Sequence, residues 1–432
     1  MKRENQRLGP HVFDNRRSAI MRSKLRSAVL AATGLGGAVV AGPAFTQSAA
    51  PIARYTMDAE TVGGFGAMGQ GGGMAAAMAA MRGQGGAAAH NLLLRLGSSR
   101  APTGAATAQH TLPQTARFGP TLPLTYQSGP SYEGGPGQMP KGRLLLFWGC
   151  GEHAPAGQPL VIDFSKMAKG QVPPGLYAKP LALAEEWRVT AANSKTYGEW
   201  PNASQQRAIP ANASLLGAHK VTGNYTPDIN FTLDQDFMAP VALNSRALPS
   251  GAFALSWNAL PTATGYYAWA FSAKDQDRSG NPTEMVWWTS SASQAFGGPM
   301  WDWLSPAAVR TLIAAKTVMP PNQTNCTVPA EVKKAGGEVT MGSLYAYGPE
   351  RTFAFPPRPS DPKVAWKPEW IARARFRSMS MAMLGMDMGA MGGMDMSGSD
   401  DDDAGAPPPR ASKPKCKGGL AGIAQRAAGL CE

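Results

Sequence analysis

Between Ala252 and Thr289 the chain spells out three strands and the turns that join them. Phe253, Leu255 and Trp257 alternate with Ala254 and Ser256, the period-two pattern of a strand with one buried face. Leu260 to Gly265 is rich in turn formers, and Tyr266-Tyr267-Ala268-Trp269-Ala270-Phe271 is dense in the aromatics that suit a pleated surface. A polar loop from Lys274 to Thr283 leads into Met285-Val286-Trp287-Trp288. Strand, Pro-containing turn, aromatic strand, polar loop and strand make the rhythm of an antiparallel sandwich.

The spacing of Trp257, Pro261, Gly265 and Tyr266 resembles the second and third strands of fibronectin type III domains, in which a Trp packs in the core. The resemblance covers roughly 100 residues, the size of such a domain. It implies a scaffold and leaves the activity open, because this fold hosts many functions.

At 432 residues the chain has room for two or three domains. Its 50 Gly and 37 Pro exceed ordinary usage and accompany many turns and low-complexity segments. Half of the +12 net charge sits in residues 1–47, which hold eight Lys/Arg against two acids. The remainder has no long basic stretch, so composition argues against a nucleic-acid partner.

Arg16, Arg17, Arg22, Lys24 and Arg26 precede an apolar run from Ala28 to Ala41, the pattern of a secretory signal with cleavage between Ala44 and Ala50. The run is too short and too Gly-rich to be a good membrane span, so a mature chain without one is expected in the periplasm or outside the cell. Four cysteines suit that oxidising compartment. Spacing alone does not settle their connectivity; Cys150–Cys326 within the folded body and Cys416–Cys431 in the tail are the favoured pairs.

In chain order, residues 1–47 form the signal region and 48–88 a Gly/Ala/Met-rich linker with too little bulky apolar surface for a core. Residues 89–140 give one strand, from His90, and a Pro-rich loop. A first β domain spans 141–240, with Leu144 to Trp148, Leu160 to Phe164 and Phe231 to Phe237 as strands. A second, fibronectin type III-like, spans 241–378 and includes a short helix at Ser305 to Val318, with Ser as its cap and Pro at its first position. Near its end Trp370, Ala372, Ala374 and Phe376 alternate with Arg373, Arg375 and Arg377, which reads as an edge strand with its arginines in water, the alternative being an anion-binding face. Residues 379–432 form a Met/Asp/Pro-rich disordered tail. The fold class expected is mainly β, two antiparallel sandwiches between disordered Gly/Met-rich segments.

The sharpest chemical feature lies in that tail: Met379, Met381, Met383, Met386, Met388, Met391, Met394 and Met396. Thioethers are soft ligands that select Cu(I) or Ag(I), and this close spacing lets a flexible chain wrap several around one ion. The segment resembles the Met/Asp/Gly-rich inserts of periplasmic copper-resistance proteins, although His, frequent in those, is absent here; the resemblance implies Cu(I) as a ligand. Met-rich tails also serve as adaptable apolar contact surface, and both readings stand. A second candidate is Cys150 with Glu152 and His153, either a metal or thiol site or simply half of a disulfide next to a turn.

No Gly-rich phosphate loop, G-x-S-x-G elbow or H-E-x-x-H is present in the sequence. The segments WGCGEHAPAGQP, AYGPERTFAFPPRP and WKPEW resemble an uncharacterised family of exported proteobacterial proteins, which implies an envelope location. The function expected is that of a non-enzymatic exported binding protein whose partner is another protein or an envelope component. Copper or silver handling through the tail is the alternative.

Overall fold

The computed structural model describes residues 50–67, 88–126, 142–167, 169, 171, 188–202, 205, 207–276, 282–295, 298–361 and 363–385. The protein is mainly β. Its strands are β1 (Ala53–Gly64), β2 (Ala89–Ser98), β3 (Ala108–Thr111), β4 (Thr121–Pro123), β5 (Arg143–Trp148), β6 (Leu160–Asp163), β7 (Thr196–Trp200) and β8 (Gly217–Gly223). They continue with β9 (Ile229–Leu233), β10 (Leu243–Ala247), β11 (Phe253–Trp257), β12 (Gly265–Gln276), β13 (Pro282–Thr289), β14 (Asn325–Val328), β15 (Thr340–Phe355) and β16 (Trp370–Met383). A nine-stranded sheet has the order β6-β5-β13-β12-β15-β16-β1-β2-β7; smaller sheets have the orders β10-β11-β14 and β4-β3-β8-β9. The large sheet therefore crosses the boundary drawn at residue 240, taking β5, β6 and β7 from one side and β12, β13, β15 and β16 from the other.

The stretch from Ala252 to Thr289 forms β11, β12 and β13, as its alternation predicts. β11 does not pair with β12; it lies between β10 and β14 in the smaller sheet. The turn between them carries the chain from sheet to sheet. There the Leu260 N–H donates to the Tyr266 hydroxyl, and the Trp257 and Tyr266 rings lie 5.5 Å apart. Phe253, Leu255 and Trp257 share a buried core with Tyr266, Ala268, Ala270 and Trp288. Cys150, just beyond β5, is disulfide-bonded to Cys326 in β14, tying the two sheets across 176 residues of sequence.

The other face of the large sheet is covered by the segment that follows β13. Its helix is Pro306–Ala314, capped by Ser305, whose hydroxyl accepts from the Ala308 N–H. Val309 and Leu312 pack on Tyr267, Tyr345 and Tyr347.

Four expectations are corrected. Ala53–Gly64, placed in the linker 48–88, is β1, a strand buried inside the large sheet. Its Tyr55, Met57 and Ala59 alternate with Asp58 and Glu60, and charges at alternate positions look solvated until their partners are known. β16, expected at an edge, is interior: it pairs antiparallel with β15 and parallel with β1, and its arginines meet acids rather than water, Arg375 and Arg377 those of β1 and Arg373 the Glu350 of β15. The same strand runs on through Met379 to Met383, residues assigned to the tail, because the inward positions Ser378 and Ser380 accept from the Val241 and Leu243 N–H groups and keep the strand docked. The loop after β2 also contains two short strands, β3 and β4.

The sheet β4-β3-β8-β9 docks on the large sheet through a buried polar chain. The His219 Nε2–H donates to the Leu215 carbonyl at 2.7 Å, which leaves Nδ1 to accept from the His110 Nε2–H at 2.9 Å. The His110 Nδ1 in turn accepts from the Tyr55 hydroxyl. Each atom in the chain has one role, and each ring is neutral. Burial pushes both imidazoles below their ordinary value, and for His110 the neighbouring His219 adds to this. The folded protein thus holds fewer protons than the unfolded chain once the pH falls below about 6.5, so stability is complete above that value and is lost as the pH descends toward the lowered folded values. Urea midpoints should drop between about pH 7.5 and about pH 5.5, and His110→Gln with His219→Gln should flatten the larger part of that slope.

Candidate binding cleft

The cleft lies over β16, β1 and β2 on the face of the large sheet opposite the His chain. Parallel pairing sets Asp58 beside Arg375 and Glu60 beside Arg377. Antiparallel pairing sets Asp58 beside Leu93 and Glu60 beside Asn91. Alternation then brings Asp58, Glu60, Asn91, Arg95, Arg375 and Arg377 to one surface.

The Arg375 guanidinium grips Asp58 with both prongs, Nε to Oδ1 at 2.7 Å and Nη2 to Oδ2 at 3.0 Å, and its Nη1 donates to the Trp303 carbonyl. Arg95 adds a bond to Asp58 Oδ2 at 3.1 Å. Arg377 Nε donates to Glu60 Oε1 at 2.6 Å, Asn91 donates to Oε2 at 3.0 Å, and Arg377 Nη1 reaches the Trp301 carbonyl. The Arg377 guanidinium also lies over the Trp303 ring, 4.1 Å from its centroid. Burial works to lower the Arg377 pKa, but Glu60 together with Tyr345 and Tyr347 outweighs it and holds the guanidinium above its ordinary value.

Asp58, Glu60, Asn91 and Arg377 floor a cavity of 610 Å³, walled by Trp200, Pro201, Arg207, Ile209 and Trp303, with His90 at one side. The His90 ring stacks on Phe237 at 4.0 Å, its Nε2–H donates to the Ala211 carbonyl, and burial lowers its pKa against the opposing pull of that bond and of Asp236. A second cavity of 310 Å³ is lined by Arg95, Arg375, Tyr126, Tyr197, Glu199 and the Arg188–Asp302 pair, whose charged atoms are 2.6 Å apart. The Tyr197 hydroxyl donates to Glu199, and burial followed by that carboxylate raises the phenol's pKa well beyond its ordinary range.

The residues singled out in the sequence lie elsewhere. Met379, Met381 and Met383 share a face of β16, with Met341 directly opposite Met383 on β15 and Met379 packed against the helix-covered apolar cluster. Met386, Met388, Met391, Met394 and Met396, and the pair Cys416 and Cys431, lie outside the described residues. Cys150 is bonded to Cys326, so it does not act as a thiol beside His153. Glu152 and His153 are exposed in the loop after β5, where the His153 Nδ1 is 3.2 Å from Glu331. Among the described residues no three His, Cys, Asp or Glu side chains gather as a metal site, and no helix is long and apolar enough to cross a membrane. Of the cleft residues, only the β16 arginines carried a sequence signal, as the anion-face alternative; Asp58, Glu60, Asn91 and Arg95 carried none.

No protein-family model matches the chain, and comparison with curated proteins finds no match.

The side chains of Asp58 and Arg375 are 0% and 6% exposed, so each is costly to leave alone. Arg375→Met should cost about 3–5 kcal/mol by leaving the buried Asp58 with only the single bond from Arg95, and Asp58→Val added to it should restore much of the loss, as read from urea unfolding of the single and double variants.

Proposed function

We propose that the protein is an exported binding protein of the periplasm or cell surface, built on a fibronectin type III-like sandwich, that holds its ligand in the cleft over β16, β1 and β2. The division of β10 to β16 supports the scaffold. β10-β11-β14 form one sheet while β13-β12-β15-β16 run side by side in the other, the A-B-E and C′-C-F-G arrangement of immunoglobulin-like domains. The basic and then apolar stretch before Ala44, together with the disulfide Cys150–Cys326, supports the location.

The observation that carries the binding reading is the larger cavity, which is preformed and has both of its carboxylates already gripped by arginine. A carboxylate so held is a rigid hydrogen-bonding group, suited to recognition. A ligand that binds the folded state raises the melting temperature in proportion to its saturation. The processed chain, screened by thermal shift against polar small molecules and oligosaccharides, should show a stabilising ligand whose effect is lost in Asn91→Ala and kept in Lys333→Ala. A ligand whose effect is equal in both variants would place binding outside the cleft and overturn the reading.

Copper or silver handling is kept as the alternative because Met379, Met381, Met383 and Met341 gather on one sheet face where the chain enters its Met-rich stretch. Anaerobic Cu(I) titration against a competing chelator separates the two. Under the alternative, tight binding disappears when the chain is truncated after Gly385 with Met381 and Met383 changed to Leu; equally weak binding by parent and variant counts against it.

A further inference from the structure

The two cavities lie on the same sheet face, one on either side of the Arg95–Asp58–Arg375 cluster. Asn91 at one and Arg95 at the other are four residues apart on β2, about 13 Å of strand. An occupant that touches both cavities is therefore a chain of several units rather than one compact molecule.

From the lining of these cavities we infer that the occupant is a neutral oligosaccharide laid along β2, an assignment that rests on the cleft being a binding site. The first argument is charge. Five arginines and four carboxylates line the two cavities, and the acids have partners within the protein: Asp58 and Glu60 on β16, Asp302 on Arg188, Glu199 on the Tyr197 hydroxyl. Apart from Arg207, which donates to the Phe118 carbonyl, the arginines are held by these carboxylates, so an anionic ligand would have to compete with them there, and a cationic one with the arginines for the acids. Either loses much of its Coulomb gain to the pair it breaks.

The second argument is hydrogen-bond grammar. A guanidinium beside a carboxylate presents N–H donors next to oxygen lone pairs, and the same alternation recurs at Asn91–Glu60 and Tyr197–Glu199. A hydroxyl donates and accepts at once, so it can bridge such a pair without disturbing it. A phosphate or carboxylate only accepts, and an ammonium only donates. A polyhydroxylated chain repeats that dual group along its length.

The third argument is apolar surface. Tyr126, half exposed at the smaller cavity, meets the Tyr197 ring edge to face at 5.3 Å, and Trp303 lines the larger one. Aromatic rings with polar tips beside polar groups suit ligands that are apolar on their faces and polar at their edges, as sugar rings are.

An array of neutral oligosaccharides, uronic-acid oligosaccharides and short peptides, probed with the processed chain, tests the assignment. The expected result is binding to neutral oligosaccharides that strengthens with length and changes little as salt is raised, since no net charge is neutralised. Tyr126→Ala and Asn91→Ala should each weaken it by about tenfold while the melting temperature of Tyr126→Ala is unchanged. Binding confined to uronic-acid chains and abolished by salt would overturn the neutral assignment. Binding of peptides alone, still lost in Asn91→Ala, would overturn the sugar and leave the cleft standing. If nothing on the array or in the thermal screen responds to these substitutions, both the sugar and the cleft fall together.

Discussion

The parallel contact between β1 and β16 is the joint on which the large sheet depends. It brings together residues 317 apart in sequence and is the means by which β2 and β7 attach to β15 and the strands beyond it. Both faces of the contact discriminate register. On the cleft face, Asp58 and Glu60 meet Arg375 and Arg377; a slip of one residue would turn those charges into the apolar core. On the core face, Tyr55 sits by Ala372, Met57 by Ala374 and Ala59 by Phe376, large against small each time. A slip of two residues in one direction would still offer an arginine to each acid but sets Ala59 against Ala374, emptying a place in the core; in the other it sets Met57 against Phe376, overfilling one, and leaves Glu60 beside Met379. Charge excludes the odd slips and volume the even ones.

The cleft follows from the same pairs. Arg375 and Arg377 spend their inner N–H groups on Asp58 and Glu60 and extend the remaining ones to the carbonyls of Trp303 and Trp301. The wall above the sheet is thus hung from the arginines that hold the sheet together, with the Trp303 ring pressed on Arg377. Fold and cavity share their bonds. Side chains held this way lose little freedom when a ligand arrives, which favours recognition by a preformed surface.

Legibility in the sequence tracked how local the determining interactions are. Phe253, Leu255 and Trp257 announce β11 because their partners need only be apolar, whatever they are, and the cap and proline at Ser305 and Pro306 announce a helix within four residues. β1 was hidden for the opposite reason. Asp58 and Glu60 look like surface residues unless one knows that Arg375 and Arg377 will lie beside them, and no local pattern carries that knowledge. The same ignorance put the arginines of β16 in water. Tyr55, His110 and His219 are separated by 55 and 109 residues, so their hydrogen-bonded chain left no motif. The strand from Met379 to Met383 was hidden as well: composition marked it as tail, and the serines that hold it in place are too ordinary to notice.

Among the described strands only two pairings are parallel, β1 with β16 and β5 with β13. They stand at the two ends of the antiparallel group β13-β12-β15-β16, where strands from the first half of the chain are added to those of the second. The β5–β6 addition is secured covalently, since Cys150 at its end is bonded to Cys326 in the facing sheet, and carries a cross-strand ion pair, Arg143 with Glu284, whose arginine is 57% exposed. The β1–β2–β7 addition is secured by its acid–arginine pairs. That difference has a chemical consequence. A disulfide leaves no polar groups for a ligand, whereas each arginine–carboxylate pair keeps N–H groups and lone pairs at its rim. At the β5 joint the arginine–carboxylate pair has its arginine largely exposed, whereas at the β1 joint the pairs are buried and their acids border the larger cavity.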